Sequence, residues 1–125
     1  MDNKKVKVLV VEDHLIAKKI AITILKSLNC DVDTADDGNQ ALTLSTNNTY
    51  HLILVDIGLP DIDGFELVQR MRAFKNIERH LPIIALTAHT DNTYKTRCLE
   101  SGMNGCFSKP LTTEDARDIL KNYIA

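Results

Sequence analysis

The sequence predicts a doubly wound α/β domain in which five helices cover both faces of a five-stranded parallel sheet. Short apolar runs alternate with segments of helical periodicity five times along the chain, without an internal linker or low-complexity segment. A chain of 125 residues is long enough to build one sizeable core. Because connections between parallel strands are right-handed, the carboxyl ends of all five strands should lie along one edge of the sheet.

The first half of the chain predicts three strands and two helices. In order, these are a strand over 6–11, a helix over 15–28, a strand over 30–35, a helix after the turn at 36–38 and a strand over 52–55. Apolar residues recur at helical spacing between Leu15 and Leu28, and the second helix is expected to end at Asn47 and Asn48. The run at 52–55 is continuously apolar, as expected for a strand that is buried on both faces.

The second half predicts three further helices and two strands. In order, these are a helix over about 64–74, a strand over 83–86, a helix over about 91–101, a strand over 105–108 and a last helix capped by Thr112 or Thr113. Asp63 and Glu66 have the spacing of a helix start, and Gly102 is the residue type expected just past a helix end. The buried stripe of the last helix is predicted to consist of Ala116, Ile119, Leu120, Tyr123 and Ile124.

Composition and charge exclude several classes of protein. The apolar content of 44% and the charged content of 26% are typical of a globular chain. A net charge of −2 shows no basic surplus, so no nucleic acid partner is expected. The three cysteines form no CxxC pair, which favours thiols in a reducing compartment. No signal peptide or membrane-spanning run is present, so we expect a cytoplasmic domain without membrane contact, either free or within a membrane-bound parent chain.

Polar side chains follow or end four of the five predicted strands. They are Glu12 and Asp13 after the first strand, Asp56 after the third, Thr87 after the fourth and Lys109 after the fifth. In open parallel sheets, ligands bind outside the carboxyl ends of the strands, near the point where the strand order reverses. These five residues, distant in sequence, are therefore expected to converge in one cleft.

The residue types in this cleft indicate metal-assisted phosphoryl chemistry. Three carboxylates that lie close together repel one another, and a divalent cation relieves that repulsion. Oxygen ligands without imidazole or thiolate favour Mg²⁺, with Mn²⁺ as the alternative. The ammonium of Lys109 and the hydroxyl of Thr87 suit phosphoryl oxygens. An aspartate at the centre of such a site, here Asp56, can act as a nucleophile and form an acyl phosphate.

Four sequence motifs in this order resemble the receiver domain of two-component response regulators. They are VEDH at 11–14, LILVDIGLP at 52–60, ALTAH at 85–89 and SKPL at 108–111. The resemblance extends from about Lys5 to Ile124. It implies a flavodoxin-like strand order of 2-1-3-4-5 and a single receiver domain over residues 1–125.

The resemblance also implies roles for individual residues. Asp56 would accept a phosphoryl group from a phosphohistidine on a partner, and Asp56 and Asp13 would bind Mg²⁺ directly. Glu12 would assist the metal through water, and the Gly58 carbonyl would supply a backbone ligand.

On the phosphate side of the site, the resemblance implies four further features. Thr87 would hydrogen-bond the phosphoryl group, Lys109 would pair with it, and the small Ala88 would leave the site accessible. The peptide bond between Lys109 and Pro110 would be cis, a form that is tolerated before proline.

Other features point to the receivers of hybrid sensor histidine kinases. Receivers that drive transcription factors often carry an aromatic residue three positions before the lysine, and here that position is Cys106. The GMNGCFSKPL segment is more similar to receivers that pass phosphate onward in a relay. The expected partner is a histidine kinase or a histidine phosphotransfer domain, and the domain itself would be a monomer or weak dimer. It would not be an enzyme in its own right, although a longer parent chain could carry histidine kinase activity.

The first helix suggests where such a partner would dock. On a helical wheel, Leu15 and Ile22 fall opposite the core stripe, among lysines. Together with Pro110 they are predicted to contact the helical bundle that carries the donor histidine. The alternative is that two scattered exposed aliphatic residues have no such role.

Two other classes of function remain open at this stage. One is a degenerate receiver that binds proteins without being phosphorylated, and the five intact polar residues argue against it. The other is a Mg²⁺-dependent phosphatase with an aspartyl-phosphate intermediate. Such enzymes need a second acid two residues after the nucleophile, where this chain has Gly58.

Overall fold

The computed structural model of the chain describes residues 5–74, 77, 80–88 and 91–124. The strands are β1 (Val6–Val11), β2 (Cys30–Ala35), β3 (Leu52–Asp56), β4 (Ile83–Thr87) and β5 (Gly105–Ser108). They form one parallel sheet in the order β2-β1-β3-β4-β5, which confirms the predicted fold class and strand order. His89 of the ALTAH motif lies outside the described residues.

In the part of the chain that the structure describes, five α-helices connect or follow these strands. They are α1 (Leu15–Ser27), α2 (Gly38–Asn47), α3 (Gly64–Arg72), α4 (Asn92–Glu100) and α5 (Thr113–Ile119), and a π-helical turn over Leu120–Ile124 continues α5. Four of them begin at a side chain that accepts a backbone N–H of the first turn: Asp37, Asp63, Asp91 and Thr112. Gly102 follows α4 with a φ of 103°, as its predicted place past a helix end requires. Among the described residues, no helix is long and apolar enough to cross a bilayer.

The sheet separates two layers of core. Alternate residues of each strand point to opposite faces, so Leu9 and Val11 pack with α2, α3 and α4, whereas Val8 and Val10 pack with α1 and α5. Every residue of β3 and β4 is buried, as expected for central strands covered on both faces.

The end of the chain departs from the predicted pattern. Ala116 and Ile119 are buried and Leu120 and Ile124 are half-buried, but the Tyr123 side chain is 37% exposed and its hydroxyl donates to the Asn104 carbonyl at 3.2 Å. The prediction that Tyr123 belongs to the buried stripe is therefore wrong. The winding changes to a π-helix after Ile119, which rotates the following residues away from the 3.6-residue stripe.

The topology determines where a ligand can bind. From β1 the chain moves outward to β2 and then returns past β1 to β3, so the strand order reverses between β1 and β3. Asp56 ends β3 at this point. A Cβ atom on Gly64 would lie 2.7 Å from the Ile57 Cα, so glycine is required for α3 to begin this close to the end of β3.

Replacing Leu54→Ala should lower the free energy of unfolding by about 2–5 kcal/mol, because Leu54 is completely buried in β3 and its truncation leaves a cavity. Urea denaturation followed by circular dichroism measures this loss. Leu15→Ala is the matched control, since Leu15 is 61% exposed and its truncation should change stability by less than about 0.5 kcal/mol. Equal effects of the two substitutions would contradict the assignment of Leu54 to the core.

Candidate functional site

Residues that end or follow β3, β4 and β5 lie around one open cavity at the carboxyl edge of the sheet. The cavity has a volume of about 490 Å³, and its lining includes Asp56, Gly58, Thr87, Ala88 and Lys109. Thr87 ends β4 and is buried, whereas Ala88 is exposed at the mouth. The cavity thus brings together the predicted residues Asp56, Thr87 and Lys109 from the ends of β3, β4 and β5.

An acidic cluster lies beside this cavity. One carboxylate oxygen each of Glu12, Asp13 and Asp56 and a ring nitrogen of His14 all lie within 4.8 Å of one another. Glu12 and Asp56 are only 2% and 4% exposed, whereas Asp13 and His14 are open to solvent. Such a group of mostly oxygen ligands, open on one side, can hold a divalent cation that keeps some of its water.

Lys109 supplies the positive charge that faces these acids. Its Nζ atom lies 3.1 Å from Glu12 Oε1 and 3.2 Å from Asp56 Oδ2. The Lys109 backbone N–H donates to the Thr87 carbonyl at 2.9 Å, which holds the end of β5 against β4. The peptide bond between Lys109 and Pro110 is cis, which confirms that expectation.

The two carboxylate oxygens of Asp56 differ in their surroundings. Oδ1 accepts the Gly58 N–H at 3.0 Å. Oδ2 is buried and touches the Lys109 ammonium, but this contact lacks the alignment of a hydrogen bond, and Oδ2 has no hydrogen-bond partner among the described residues. A buried carboxylate oxygen with unused acceptor capacity fits a site that receives a further cation or donor.

The environment changes the pKa values of these groups in opposite directions. Burial raises the pKa of Glu12 above its usual 4.5, and the neighbouring Asp56 carboxylate raises it further. Burial by itself would also raise the pKa of Asp56, but its contacts with Glu12 and Lys109 and the hydrogen bond from the Gly58 N–H hold it below 3.8. Burial would lower the pKa of Lys109, yet its contacts with Glu12 and Asp56 raise it above 10.5. At neutral pH, Asp56 is therefore an anion facing a cation.

Several residues line the cleft that sequence reasoning did not select. Arg97 belongs to α4, and its Nη2 atom lies 3.6 Å from Asp63 Oδ2. Its guanidinium carbon is 4.1 Å from the centroid of the Phe65 ring. The Phe65 and Tyr94 rings are 5.6 Å apart and form the apolar side of the cavity. The sequence assigns Tyr94 and Arg97 to a helix, but it does not say which way their side chains point. Their contacts with Phe65 of α3 show that they face the site.

His14 was also not selected, although it follows Asp13 directly in the VEDH motif. Its Nδ1 atom lies 3.4 Å from Glu12 Oε2 and 3.5 Å from Asp13 Oδ1. Its backbone N–H donates to Glu12 Oε2 at 3.2 Å, so this residue helps to hold the Glu12 carboxylate in place.

The three predicted docking residues differ in exposure. Leu15 is 61% exposed and Pro110 is exposed, but Ile22 is half-buried and so does not lie on a fully outer face. Ile16, which was not selected, is 74% exposed and lies next to Leu15 in the first turn of α1. The Lys18 side chain is turned toward Asp36, with which it forms an ion pair. The apolar surface of α1 is thus concentrated at its amino-terminal end.

These features together define a class of protein: a parallel α/β domain with a buried aspartate, two neighbouring acids and a lysine at its topological switch point. The model of the family "Response regulator receiver domain" matches residues 8–121. The chain belongs to this family.

Comparison with individual proteins gives more detail. The chain is 38% identical over 122 residues to sensor histidine kinase RcsC of Escherichia coli K12, covering 98% of this chain and 12% of that protein. It is 37% identical over 121 residues to hybrid signal transduction histidine kinase M of Dictyostelium discoideum, covering 94% of this chain and 5% of that protein. The predicted resemblance to receivers of hybrid sensor histidine kinases is confirmed, and the chain spans a small fraction of these relatives.

A solved structure supports the same assignment. The receiver domain of sensor histidine kinase PA1611 from Pseudomonas aeruginosa superposes with a TM-score of 0.87 at 34% identity, covering 97% of this chain and 98% of that one. That structure is described as having a magnesium ion coordinated in its active site cleft.

Replacing Lys109→Met should destabilise the fold most at neutral pH, by about 1–3 kcal/mol, because two buried carboxylates lose their cation. The deficit should shrink as the pH falls and the acids take up protons. It should also shrink above pH 10.5, as the pH approaches the raised pKa at which the wild-type lysine loses its charge. Urea unfolding without divalent cations, at several pH values, measures this dependence.

Lys19→Met is the matched control, since Lys19 is an exposed residue of α1. A deficit of Lys109→Met that does not vary with pH would contradict the ionic role of Lys109. An equal loss in Lys19→Met would show that the effect is not specific to the site.

Proposed function

We propose that this chain acts as a cytoplasmic phosphoacceptor receiver in a phosphorelay, with residues 1–125 forming one functional domain and Asp56 as the acceptor. The observation that carries the proposal is the environment of Asp56, which is buried, has a lowered pKa and lies 3.2 Å from Lys109. A carboxylate that stays ionised at the end of a central strand is available as a nucleophile.

In the proposed reaction, an Asp56 oxygen attacks the phosphorus of a phosphohistidine on a partner protein. The new O–P bond forms an acyl phosphate, the N–P bond breaks, and the imidazole leaves with its electron pair and takes up a proton. Little covalent help is needed from other residues, because phosphoryl transfer depends mainly on positioning and on neutralising charge.

Glu12, Asp13 and Asp56, together with the Gly58 carbonyl, are the proposed ligands of Mg²⁺, or of Mn²⁺ as the alternative. When bound, the cation would neutralise charge on the phosphoryl oxygens and relieve the repulsion among the acids. The unused acceptor capacity of Asp56 Oδ2 and the grouping of the acids within 4.8 Å support this assignment. The buried Glu12 would act from the second layer of ligands, whereas the exposed Asp13 can bind directly.

Lys109 and Thr87 are the proposed partners of the phosphoryl group once it is attached. Lys109 already contacts Asp56 Oδ2, so a small movement would place its ammonium against a phosphoryl oxygen. The Thr87 hydroxyl, at the end of β4, would donate to another oxygen, and Ala88 leaves the mouth of the cavity open. Added charge at Asp56 would thereby pull the ends of β4 and β5 toward the site, which is a switch by population shift.

The proposed partner is a histidine kinase or a histidine phosphotransfer domain that docks on the amino-terminal end of α1. Leu15 and Ile16 are the exposed apolar residues there, and they follow the acidic cluster directly in the chain. Ile22 and Pro110 would lie at the margin of this surface. No nucleic acid takes part in the proposed function, and the domain would act as a monomer or weak dimer.

Incubation with Mg²⁺ and acetyl phosphate should add one phosphoryl group to this chain, as measured by intact-protein mass. The gain should vanish in Asp56→Asn and after chelation of the metal by EDTA, because both the nucleophile and the cation are required. Asp31→Asn, at an exposed carboxylate of β2 remote from the site, should leave the gain unchanged.

A mass gain in Asp56→Asn equal to that of the unaltered chain would contradict the assignment of the acceptor. Absence of any gain in the unaltered chain, with Mg²⁺ bound and with phosphoramidate also tested, would favour a protein-binding module over a phosphoacceptor. A steady release of inorganic phosphate from acetyl phosphate at the rate of an enzyme would favour the phosphatase.

Leu15→Glu and Ile16→Glu should slow phosphoryl transfer from a phosphorylated histidine phosphotransfer domain by roughly tenfold, the effect of losing one important interface side chain. Phosphorylation by acetyl phosphate should stay unchanged, since neither residue lines the cavity. Leu99→Glu on α4 is the control, because Leu99 is similarly exposed at 60%. Equal slowing with both donors, or in all three variants, would rule out the amino-terminal end of α1 as the docking surface.

A further inference from the structure

Two of the three cysteines lie together where α4 packs against β5. Cys98 is a completely buried residue of α4, and Cys106 is a half-buried residue of β5. Cys98 belongs to the core layer of α2, α3 and α4, Cys106 packs against that layer, and the Cys106 thiol is close enough to affect the pKa of Cys98. All three cysteines are thiols in this structure.

Solvent reaches this pair from the Cys106 side. Cys106 lines an open cavity of about 190 Å³, together with Lys95, Leu99, Asn104 and Gly105. Hydrogen peroxide is only slightly larger than water, so it fits this space. The proposed function uses neither cysteine and does not involve this cavity.

The third cysteine lies elsewhere. Cys30 is a buried residue at the start of β2, an edge strand, and packs in the other core layer with α1 and α5. The sheet separates it from the pair formed by Cys98 and Cys106. Cys30 therefore serves as an internal control for reactions of the pair.

We propose that Cys98 and Cys106 form a reversible intramolecular disulfide, which a hydroperoxide generates and a dithiol reduces. A covalent bond here would join α4 directly to β5. Disulfides in a reducing compartment are usually transient and regulatory, which is the role proposed for this one.

The chemistry balances in two steps with hydrogen peroxide as oxidant. The Cys106 sulfur attacks one peroxide oxygen, the O–O bond breaks, and hydroxide leaves with the thiol proton as water, so that Cys106 becomes a sulfenic acid. The Cys98 sulfur then attacks the Cys106 sulfur, the S–O bond breaks, and the hydroxyl leaves with the Cys98 proton as a second water. The two sulfurs lose two electrons in total, which the peroxide gains, and a dithiol returns them by exchange.

The order of these steps follows from burial. Cys106 is accessible and reacts first, whereas Cys98 has no exposed surface and acts only on its neighbour. Burial, together with the adjacent Cys106, raises the pKa of the Cys98 thiol to about 12. Because the thiolate is the nucleophile, closure of the disulfide should be the slower step at neutral pH.

The bond would also affect the site, and this part of the inference rests on the proposed function. In the sheet register, Cys106 pairs with Ala85 and Ser108 pairs with Thr87, so β5 carries both the Cys106 sulfur and the segment leading to Lys109. Fixing α4 to β5 would restrain the movement of Thr87 and Lys109 toward a phosphoryl group. Phosphorylation of the oxidised protein should therefore be roughly 5-fold to 10-fold slower, within the usual range of coupling between sites.

The test treats the reduced 125-residue chain with a slight excess of hydrogen peroxide and follows intact mass under non-reducing conditions. We expect the loss of two hydrogens per chain, a peptide that links Cys98 to Cys106, and full reversal by dithiothreitol. Cys30→Ala should behave identically. Cys98→Ala should instead accumulate a sulfenic acid at Cys106 that dimedone traps, and Cys106→Ala should form neither product.

The disulfide proposal fails if the mass is unchanged, if the linked peptide contains Cys30, or if the product is an intermolecular dimer. Cys106→Ala provides a second test if Cys98→Ala does not fold, because a half-buried side chain tolerates truncation better. Acetyl phosphate labelling of oxidised and reduced protein then tests the effect on the site. Equal labelling rates would overturn the regulatory role, whereas no labelling of the reduced protein would overturn the proposed function and leave the mass result to decide on the disulfide.

Discussion

The structure depends on keeping the carboxylates of Glu12 and Asp56 out of water beside the ammonium of Lys109. Taking a charge out of water is costly unless it is paired, and the contacts of 3.1 and 3.2 Å to the Lys109 Nζ provide that pairing. The three residues come from the ends of β1, β3 and β5, so their contact exists only when the strands are in register. The ionic cluster therefore links the chemistry of the site to the integrity of the sheet.

The sheet can hold this cluster because its central strands are fully packed on both faces. Every residue of β3 and β4 is buried, and the strand order reverses beside β3, where the carboxyl edge carries the site. Glycine at position 64 allows α3 to begin directly beside the end of β3, so this helix bounds the site on that side. The opposite side is open, because Asp13, His14 and Ala88 are exposed.

The α4 helix connects this site to the surface of the domain. Arg97 and Tyr94 extend from α4 into the cleft, where they meet the Phe65 ring, and Cys98 of the same helix contacts Cys106 on β5. Because alternate residues of a strand point to opposite faces, Cys106 and Phe107 face opposite core layers. A thiol rather than an aromatic ring thus lies between α4 and β5.

The sequence by itself determined the order and type of the elements and the convergence of Glu12, Asp56 and Lys109. Periodicity and capping are local properties, and parallel strands bring their ends to one edge whatever the details of packing. Only the tertiary structure decided that Tyr123 is partly exposed and that Cys98 meets Cys106. These features depend on the winding of α5 and on how α4 packs against distant elements, and residues far apart in the chain control both.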